Sequence, residues 1–401
     1  MSDFLQLHVL TAYPPSNPNR DDLGRPKTVV VGGRTRQRIS SQALKRAIRT
    51  SEDFSAALKG HQGERTQRMG DKIIEHLVKR GAEPARAEEI ARSVATVFGA
   101  IDDDANARGR EDGFLWARTA QLAFISPDER DLAFKLAEKA LAGEILPTEE
   151  LVKPKKRKGT TGGVSETDDG GAQAEKVNKA LQKAIRQIAP RVLQRADGAV
   201  DIAMFGRMLA STPDFNRDAA VQVAHAFTTN AVDIEDDYYT AVDDLKTREE
   251  DAGAGFVGET GFGAGVYYIY VCVDRGLLVK NLGGDAALAA RGLEALVRAI
   301  ATASPSGKRN SFANHVRPEF ILAEKGTAQP RSLASAFTRP VDGEDEIDES
   351  IARLRRKREA FAAAYGKDWT DEKVLHVGQE GTATLDKLAA FASDGLEGAG
   401  A

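Results

Sequence analysis

Several short runs along the chain alternate apolar and polar residues, the pattern of strands that bury one face. The clearest run, residues 266–273 (VYYIYVCV), consists almost entirely of aromatic and β-branched residues, which favour strands. The run at 200–204 is expected to end at Gly206-Arg207-Met208. The strands predicted in this way are residues 4–11, 200–204, 221–227, 266–273 and 319–322.

Helical periodicity dominates residues 62–142 and returns as one amphipathic helix over 285–303. Residues 154–174 begin with a basic run and continue with Gly, Thr, Ser and Asp, which predicts a flexible linker. The acidic, glycine-rich stretch before residue 266 lies between two predicted strands and is expected to form a long hairpin. Strand, helix and strand in this order predict an α+β sheet of ferredoxin-like type with helical material inserted.

Composition describes a globular chain of 401 residues, of which 41% are hydrophobic and 29% charged. No apolar run has the roughly 20 residues that a membrane span needs. We also find no signal-peptide pattern at the N-terminus and only one cysteine, Cys272, so we expect a cytoplasmic protein without a cysteine-based metal site. The net charge of −4 conceals a local excess, because Arg20–Arg49 contains nine basic and two acidic residues. A patch of +7 is suited to a polyanion.

The basic excess centres on a predicted helix that begins after Ser40, a good N-cap residue. Its polar face carries Gln42, Lys45, Arg46 and Arg49 at helical spacing. Arg34, Arg36 and Arg38 precede it, next to the backbone N–H groups of the helix N-terminus. Such a surface offers many donors to phosphates and no evident base-reading group. The alternative is that these charges form an ordinary solvated helix face.

Signatures of catalysis are scarce. The six histidines are scattered, and His225, in a predicted strand, is interpreted as a packed or surface residue. Asp21 and Asp22 could hold a metal in a nuclease, but pairing with Arg20 and Lys27 explains them equally, since no third acidic ligand is near in sequence. We therefore expect no catalytic residue, no metal and no cofactor.

Seven groups of short sequence blocks follow one another within residues 1–284. They are Leu7-His8-Val9-Leu10; Asn19-Arg20-Asp21-Asp22; Arg38-Ile39-Ser40-Ser41-Gln42 with Leu44-Lys45-Arg46-Ala47; Val200-Asp201-Ile202-Ala203 with Gly206-Arg207-Met208; Ala224-His225-Ala226 with Thr228-Thr229; Thr240-Ala241-Val242-Asp243-Asp244-Leu245; and Asn281-Leu282-Gly283-Gly284. Together they resemble the CasC family, the Cas-seven-type backbone subunit of the type I-E CRISPR Cascade complex. Each block alone is weak, whereas the ordered series is specific.

The resemblance implies an RRM-like palm, a helical fingers insertion and a thumb hairpin. Mapped onto this chain, the fingers are residues 60–197 and the thumb is 231–265. The palm consists of 1–59, 198–230 and 266–401, the last with C-terminal helices. The aromatic octapeptide of RNA-binding RRM domains is absent, so bases should not stack on an open sheet. The linker 154–174 and the charged stretch 342–358 carry no function over from the family.

The same resemblance implies a non-catalytic subunit that polymerises along CRISPR RNA and presents it to a target DNA strand. Its partners would be CRISPR RNA, target DNA, further copies of itself and other Cascade subunits, without a membrane. The alternative is a subunit that also cleaves RNA through Asp21 and Asp22, as type III relatives do. The RNA-binding residues expected from the family and from the basic segment are Arg20, Lys27, Arg34, Arg36, Arg38, Ser40, Ser41, Gln42, Lys45, Arg46, Arg49, Arg207, Met208 and Tyr239.

Overall fold

The protein is described by a computed structural model that covers residues 3–145, 169–209, 213–241 and 256–396, with the backbone alone at 169–179 and 194–195. It divides into two compact units. The first unit comprises Met1–Lys59 and Ala220–Ala401, and the second comprises Gly60–Ala219. No helix among the described residues is both long enough and apolar enough to cross a bilayer.

The secondary structure alternates between strands and helices along the chain. The strands are β1 (Phe4–Ser16), β2 (Thr28–Val31), β3 (Arg34–Ile39), β4 (Glu64–Thr66), β5 (Ala123–Ile125), β6 (Val221–Val223), β7 (Ala226–Thr228), β8 (Glu235–Ala241), β9 (Phe256–Asp274), β10 (Phe320–Gly326) and β11 (Asp371–His376). The helices are α1 (Ser41–Arg49), α2 (Glu52–Ala57), α3 (Met69–Lys79), α4 (Pro84–Ala95), α5 (Asp103–Glu111), α6 (Pro127–Leu141), α7 (Asp169–Leu193), α8 (Val200–Phe205), α9 (Arg275–Asn281), α10 (Ala286–Thr302), α11 (Arg309–Phe312), α12 (Glu346–Tyr365) and α13 (Leu385–Ser393). Short 3-10 turns lie at Gln194–Gly198, Pro213–Phe215 and Ala334–Phe337.

The first unit is built on an antiparallel sheet in the order β11-β10-β1-β9-β7-β3-β2, with β6 and β8 also paired to β9. Strand β1 lies between β9 and β10, with Leu5 opposite Val273 and Lys325. Helix α1 follows the β2–β3 hairpin and lies between β1 and β6 in the chain, and α10 lies between β9 and β10. Taking β6 and β7 as one position, this is the strand order of a ferredoxin-like sheet. The predicted α+β class is confirmed.

Both faces of β1 are covered. On one face, helices α1 and α10 pack through Leu44, Ile48 and Ile300 against β9 and the outer part of β1. On the other face, Leu10 belongs to a buried cluster with Tyr268 and with Leu354 of α12. Because helices cover the sheet, its central strands contain few exposed positions.

The second unit is helical apart from the two-stranded pair β4–β5. Its core collects apolar faces of α3, α4, α6 and α7, represented by Ile73, Ile90, Leu136 and Ile185. Helix α6 begins at a capping box, in which Ser126 and Glu129 bond to each other's backbone N–H.

Four predictions about elements and domain limits need correction. Residues 200–204 form helix α8 rather than a strand, since Asp201 accepts a bond from the Gly63 N–H (2.7 Å) and Gly206, with φ of +78°, follows the last turn. The single strand expected over 221–227 is divided into β6 and β7. The expected linker overlaps α7, which begins at Asp169; residues 154–168 lie outside the described residues. Finally, residues 198–219 belong to the helical unit, not to the palm.

Two hairpins extend the sheet. Strands β2 and β3 are joined by Gly32 and Gly33, whose φ values of +59° and +76° require glycine in a tight two-residue turn. Strand β8 pairs with the first part of β9, from Glu235 opposite Phe262 to Ala241 opposite Phe256. This second pair is the base of the hairpin expected at 231–265, and its middle lies outside the described residues.

Candidate nucleic-acid interface

Helix α1 presents a basic face because its ends and its apolar residues are fixed. The Ser40 side chain accepts a bond from the Ala43 N–H (3.3 Å), as expected for an N-cap, and Leu44 and Ile48 are buried. We call the opposite side, formed by Gln42, Lys45, Arg46 and Arg49, the α1 basic face. Gln42 and Arg46 are exposed, whereas Lys45, Arg49 and the neighbouring Ser41 are half-buried. Partial burial lowers the pKa of Lys45.

Asn19 joins the preceding loop to this helix. Its side-chain oxygen accepts the Ser40 N–H (2.8 Å), and its backbone oxygen accepts the Lys27 N–H (2.9 Å). Lys27 in turn accepts, through its backbone oxygen, the Arg38 N–H (2.7 Å). The start of α1, Lys27 and Arg38 are therefore held in one hydrogen-bonded unit.

The loop between Asn19 and Lys27 is closed by Asp21. One carboxylate oxygen of Asp21 accepts bonds from the N–H groups of Leu23 (3.0 Å) and Arg25 (2.9 Å). The backbone of Arg20 pairs with that of Pro26 in an isolated antiparallel β-bridge, and Arg20 is exposed. Asp21 is thus a turn-forming residue that shapes the loop carrying Arg20.

Beside this loop lies an open cleft of about 550 Å³. Arg20, Arg46 and Arg309 contribute to its wall, together with Asp21 and Asp22. The 304–307 segment completes it. The cleft therefore combines three arginines from three separate segments of the same unit with two carboxylates.

The arginines that alternate along β3 have different environments. Arg34 is exposed, and Arg38 is half-buried and bonds through Nη1 to Nδ1 of His225 (2.8 Å). Arg36 is fully buried and donates to the carbonyl oxygens of Thr228 (2.9 Å) and Phe337 (3.1 Å), and also to Thr229. Burial, followed by the field of Arg353, lowers the pKa of Arg36.

The expectation that Arg36 binds RNA is therefore corrected. Its guanidinium joins β3 to the end of β7 and to the turn at Ala334–Phe337, so it has no surface to offer a phosphate. Arg34, Arg36 and Arg38 share one face of β3, but the charge pattern does not reveal where other segments of the first unit cover that face.

Arg207 needs the same correction in the second unit. Its guanidinium is buried and lies 2.6 Å from Glu129, itself buried, and also donates to the carbonyl oxygens of Leu193 and Phe215. The backbone of Arg207 pairs with Arg217. Met208, the next residue, is 79% exposed. Arg207 therefore fixes the loop that presents Met208 and does not itself face a ligand.

Tyr239 lies on β8 in the second hairpin and is partly exposed. It stands opposite Gly258, where a Cβ would come within 2.5 Å of its ring, and its centroid lies 6.1 Å from that of Phe256. The missing side chain at Gly258 allows the aromatic ring to lie flat over the strand pair. Tyr239 and Phe256 thus form an exposed aromatic surface on one side of the hairpin.

The base of this hairpin is bonded to the loop that carries Arg20. The Asn17 amide donates to the Gly261 carbonyl (2.9 Å) and to that of Gly24 (3.1 Å). Arg25 bonds both carboxylate oxygens of Asp236 (3.1 and 3.2 Å). These hydrogen bonds connect the loop that carries Arg20 to the base of the thumb within the first unit.

Sequence reasoning missed three residues that organise this surface. Asn19 was one letter of a family block, yet its side chain supports the start of α1. Asn17 belongs to none of the motifs or blocks described above, yet its amide bonds Gly261 at the base of the second hairpin. His225 was interpreted as a packed or surface histidine, and its partner Arg38 lies 187 positions away in sequence. The contacts of Asn17 with Gly261 and of His225 with Arg38 span 244 and 187 positions, so no local pattern reveals them.

The solved structures that share this fold include two chains of CRISPR surveillance complexes. One chain of a structure described as "CRISPR RNA-guided surveillance complex, pre-nicking" is 29% identical, with 97% of this chain and 100% of that chain covered and a TM-score of 0.74. A chain of a "CRISPR RNA-guided surveillance complex" is 23% identical at the same coverage, with a TM-score of 0.66, and supports the fold alone. No curated protein matches. The resemblance to Cas-seven-type backbone subunits is confirmed, while the I-E subtype stays a prediction. A family model described as CT1975-like protein matches residues 5–396, and the chain therefore belongs to the CT1975-like protein family.

Proposed function

We propose that this chain is a non-catalytic backbone subunit that binds CRISPR RNA in a type I-E surveillance complex in the cytoplasm. The observation that carries the proposal is the α1 basic face, held by Asn19 beside Lys27 and Arg38 in a single unit. Arg20 and Arg34, outside that face, add exposed positive charge. The similar chain of known structure comes from an RNA-guided complex, which supports the same role.

The chemistry of this surface suits a guide of any sequence. Lysine, arginine and backbone N–H groups bind phosphate oxygens, which are the same at every nucleotide. A guide-binding subunit has to leave the Watson–Crick edges free, because base pairing with the target supplies the specificity. Contacts to phosphates alone meet both requirements.

We further propose that copies stack head to tail along the guide, contact the other Cascade subunits, and present the RNA to a target DNA strand. Tyr239 on the thumb and Met208 in the second unit would contact bases rather than phosphates. Their exposure supports this role, since large apolar side chains at a surface often mark a binding site. A thumb inserted between bases would divide the guide into short, pre-ordered segments, which reduces the entropy lost on pairing.

The experiment is a binding series with RNAs of equal length and scrambled sequence. Equal affinities, each falling steeply with salt, are expected for phosphate contacts. A preference of more than about tenfold for one sequence corresponds to about 1.4 kcal/mol. It would contradict the proposal.

RNA cleavage is the second candidate. Asp21 and Asp22 line the cleft beside Arg20 and Arg46, which favours it. Against it, Asp21 already accepts two backbone N–H groups. Within the described part of the chain, no three His, Cys, Asp or Glu side chains are grouped to hold a metal ion. Incubating the purified assembly with complementary RNA and Mg²⁺ distinguishes the two functions: cleavage lost in Asp22→Asn supports the second, and intact RNA supports the first.

A further inference from the structure

His225 is a residue of the proposed phosphate-binding surface whose side chain can change its charge between about pH 5 and pH 8. It follows β6 and precedes β7, and it is exposed. Its Nδ1 atom is 2.8 Å from Nη1 of Arg38. An arginine can only donate, so Nδ1 is the acceptor and the proton of the neutral ring lies on Nε2.

The surroundings of His225 are cationic. Arg38 of β3 bonds to it directly, and among the described residues the fields of Arg38 and of Lys27, which precedes β2, act on it. Burial first, and then these two cations, lower the pKa of His225 below its ordinary value of 6.5. Without a ligand, the ring is therefore neutral at pH 7.

A phosphate bound at Lys27 and Arg38 would oppose the effect of these two cations on the pKa of His225. Its negative charge offsets the two cations that oppose protonation, and it offers an acceptor to any additional N–H. Once Nδ1 takes a proton from solvent, it can no longer accept from Arg38. The released N–H of Arg38 and the new N–H of His225 can then both point to phosphate oxygens.

We propose that His225 is a proton-linked positioning residue of the Lys27–Arg38 phosphate site, so that RNA binding takes up a proton and strengthens as the pH falls. The inference rests on the proposed function and adds to it a dependence on pH. By linkage, one proton taken up per bound copy raises the affinity by at most about tenfold per pH unit, within the interval between the free and the bound pKa of His225. Above that interval the effect disappears.

The test compares the full-length wild type with His225→Gln, which keeps an acceptor for Arg38 but does not titrate. His376→Gln is the matched control, because β11 lies at the opposite edge of the sheet from β3. RNA oligonucleotides of mixed sequence are titrated from pH 8 to pH 5.5 at constant ionic strength. Calorimetry in buffers of different ionisation enthalpy then counts the protons taken up per bound copy.

We expect proton uptake and a rising affinity at low pH in the wild type and in His376→Gln, and a clear reduction of both in His225→Gln. Equal uptake in all three proteins, with RNA bound, would overturn the role of His225 and leave the proposed function intact. A wild type that binds RNA at no pH would overturn both.

Discussion

Lys45 and Arg49 lie one helical turn apart on the α1 basic face, and each is half-buried. If both contact phosphates, replacing them with alanine should weaken binding almost equally for every RNA sequence. The slope of log K against log salt should fall by about 1–2 units, since fewer counterions are released. Filter binding at several salt concentrations measures this slope.

Lys280→Ala with Lys387→Ala provides the matched control, because it removes the same charge from exposed positions on α9 and α13 of the same unit. The control should keep the wild-type slope. A loss of binding confined to particular RNA sequences in the Lys45 and Arg49 variant would contradict a phosphate-contacting role.

Arg207 should matter for stability rather than for direct contact with RNA. Replacing it with Met leaves Glu129 buried without its cation, which costs about 3–5 kcal/mol. Adding Glu129→Gln should recover part of this loss, because the uncompensated charge is removed. Of the two tryptophans, Trp116 lies in the second unit, so urea unfolding followed by fluorescence in a Trp369→Phe background reports on that unit. A destabilisation below about 1 kcal/mol would show that the ion pair contributes little.

The charge pattern of the sequence predicted which residue types form the RNA-binding surface, but not which of the predicted arginines are buried. The α1 basic face could be derived, because helical periodicity separates Leu44 and Ile48 from Lys45 and Arg49. Arg36 and Arg207 could not be distinguished from their neighbours, since their partners are backbone carbonyls and a glutamate distant in sequence. Sequence alone therefore does not tell whether an arginine beside an exposed site residue faces the RNA or is held by partners inside the protein.

At the scale of elements, the ion pair of Arg25 and Asp236 connects the Arg20 loop to the base of the thumb. Both side chains are largely exposed, so the pair contributes at most about 1 kcal/mol. Reversing either charge alone should increase protease cleavage within the thumb, and Arg25→Asp should also lower RNA affinity by up to about fivefold. Exchanging the two residues, Arg25→Asp with Asp236→Arg, should restore both properties, since the net charge and the pair are kept.

Additive losses in the exchanged variant would contradict this coupling. The hydrogen bond from the Asn17 amide to Gly261 would then be the described side-chain contact that holds this loop to the thumb. Limited proteolysis, performed without RNA, separates the effect on the thumb from the charge that Arg25 itself presents to RNA.

Long elements with a clear period were predictable, and short ones were not. The strand at 266–273 and the helix at 285–303 correspond to β9 and α10, because each buries a continuous apolar pattern. The segment 200–205 is too short for its hydrophobic periodicity to distinguish a strand from a buried helix. Their helical state depends on Asp201 bonding Gly63, a contact 138 positions apart.

At the scale of the whole molecule, the α+β class followed from the order of strands and helices, while family membership required the ordered sequence blocks. The limits of the second unit could not be predicted. Residues 198–219 were expected in the palm but belong to the helical unit, because they pack near residues such as Asp128 and Phe124. The role of the 342–358 stretch was also left open. Residues 346–358 of this stretch form the first part of α12, whose Arg358 pairs with the buried Glu324 (2.6 Å), so part of the charge of this stretch stabilises the palm.

The central claim is that copies of this chain assemble along RNA through sequence-independent contacts. Native mass spectrometry of the full chain, mixed with RNAs of increasing length and unrelated sequence, tests it most directly. We predict that the number of bound copies increases by one for each constant increment of RNA length, whatever the sequence. One copy per RNA at every length, or binding that depends on sequence rather than on length, would contradict the account.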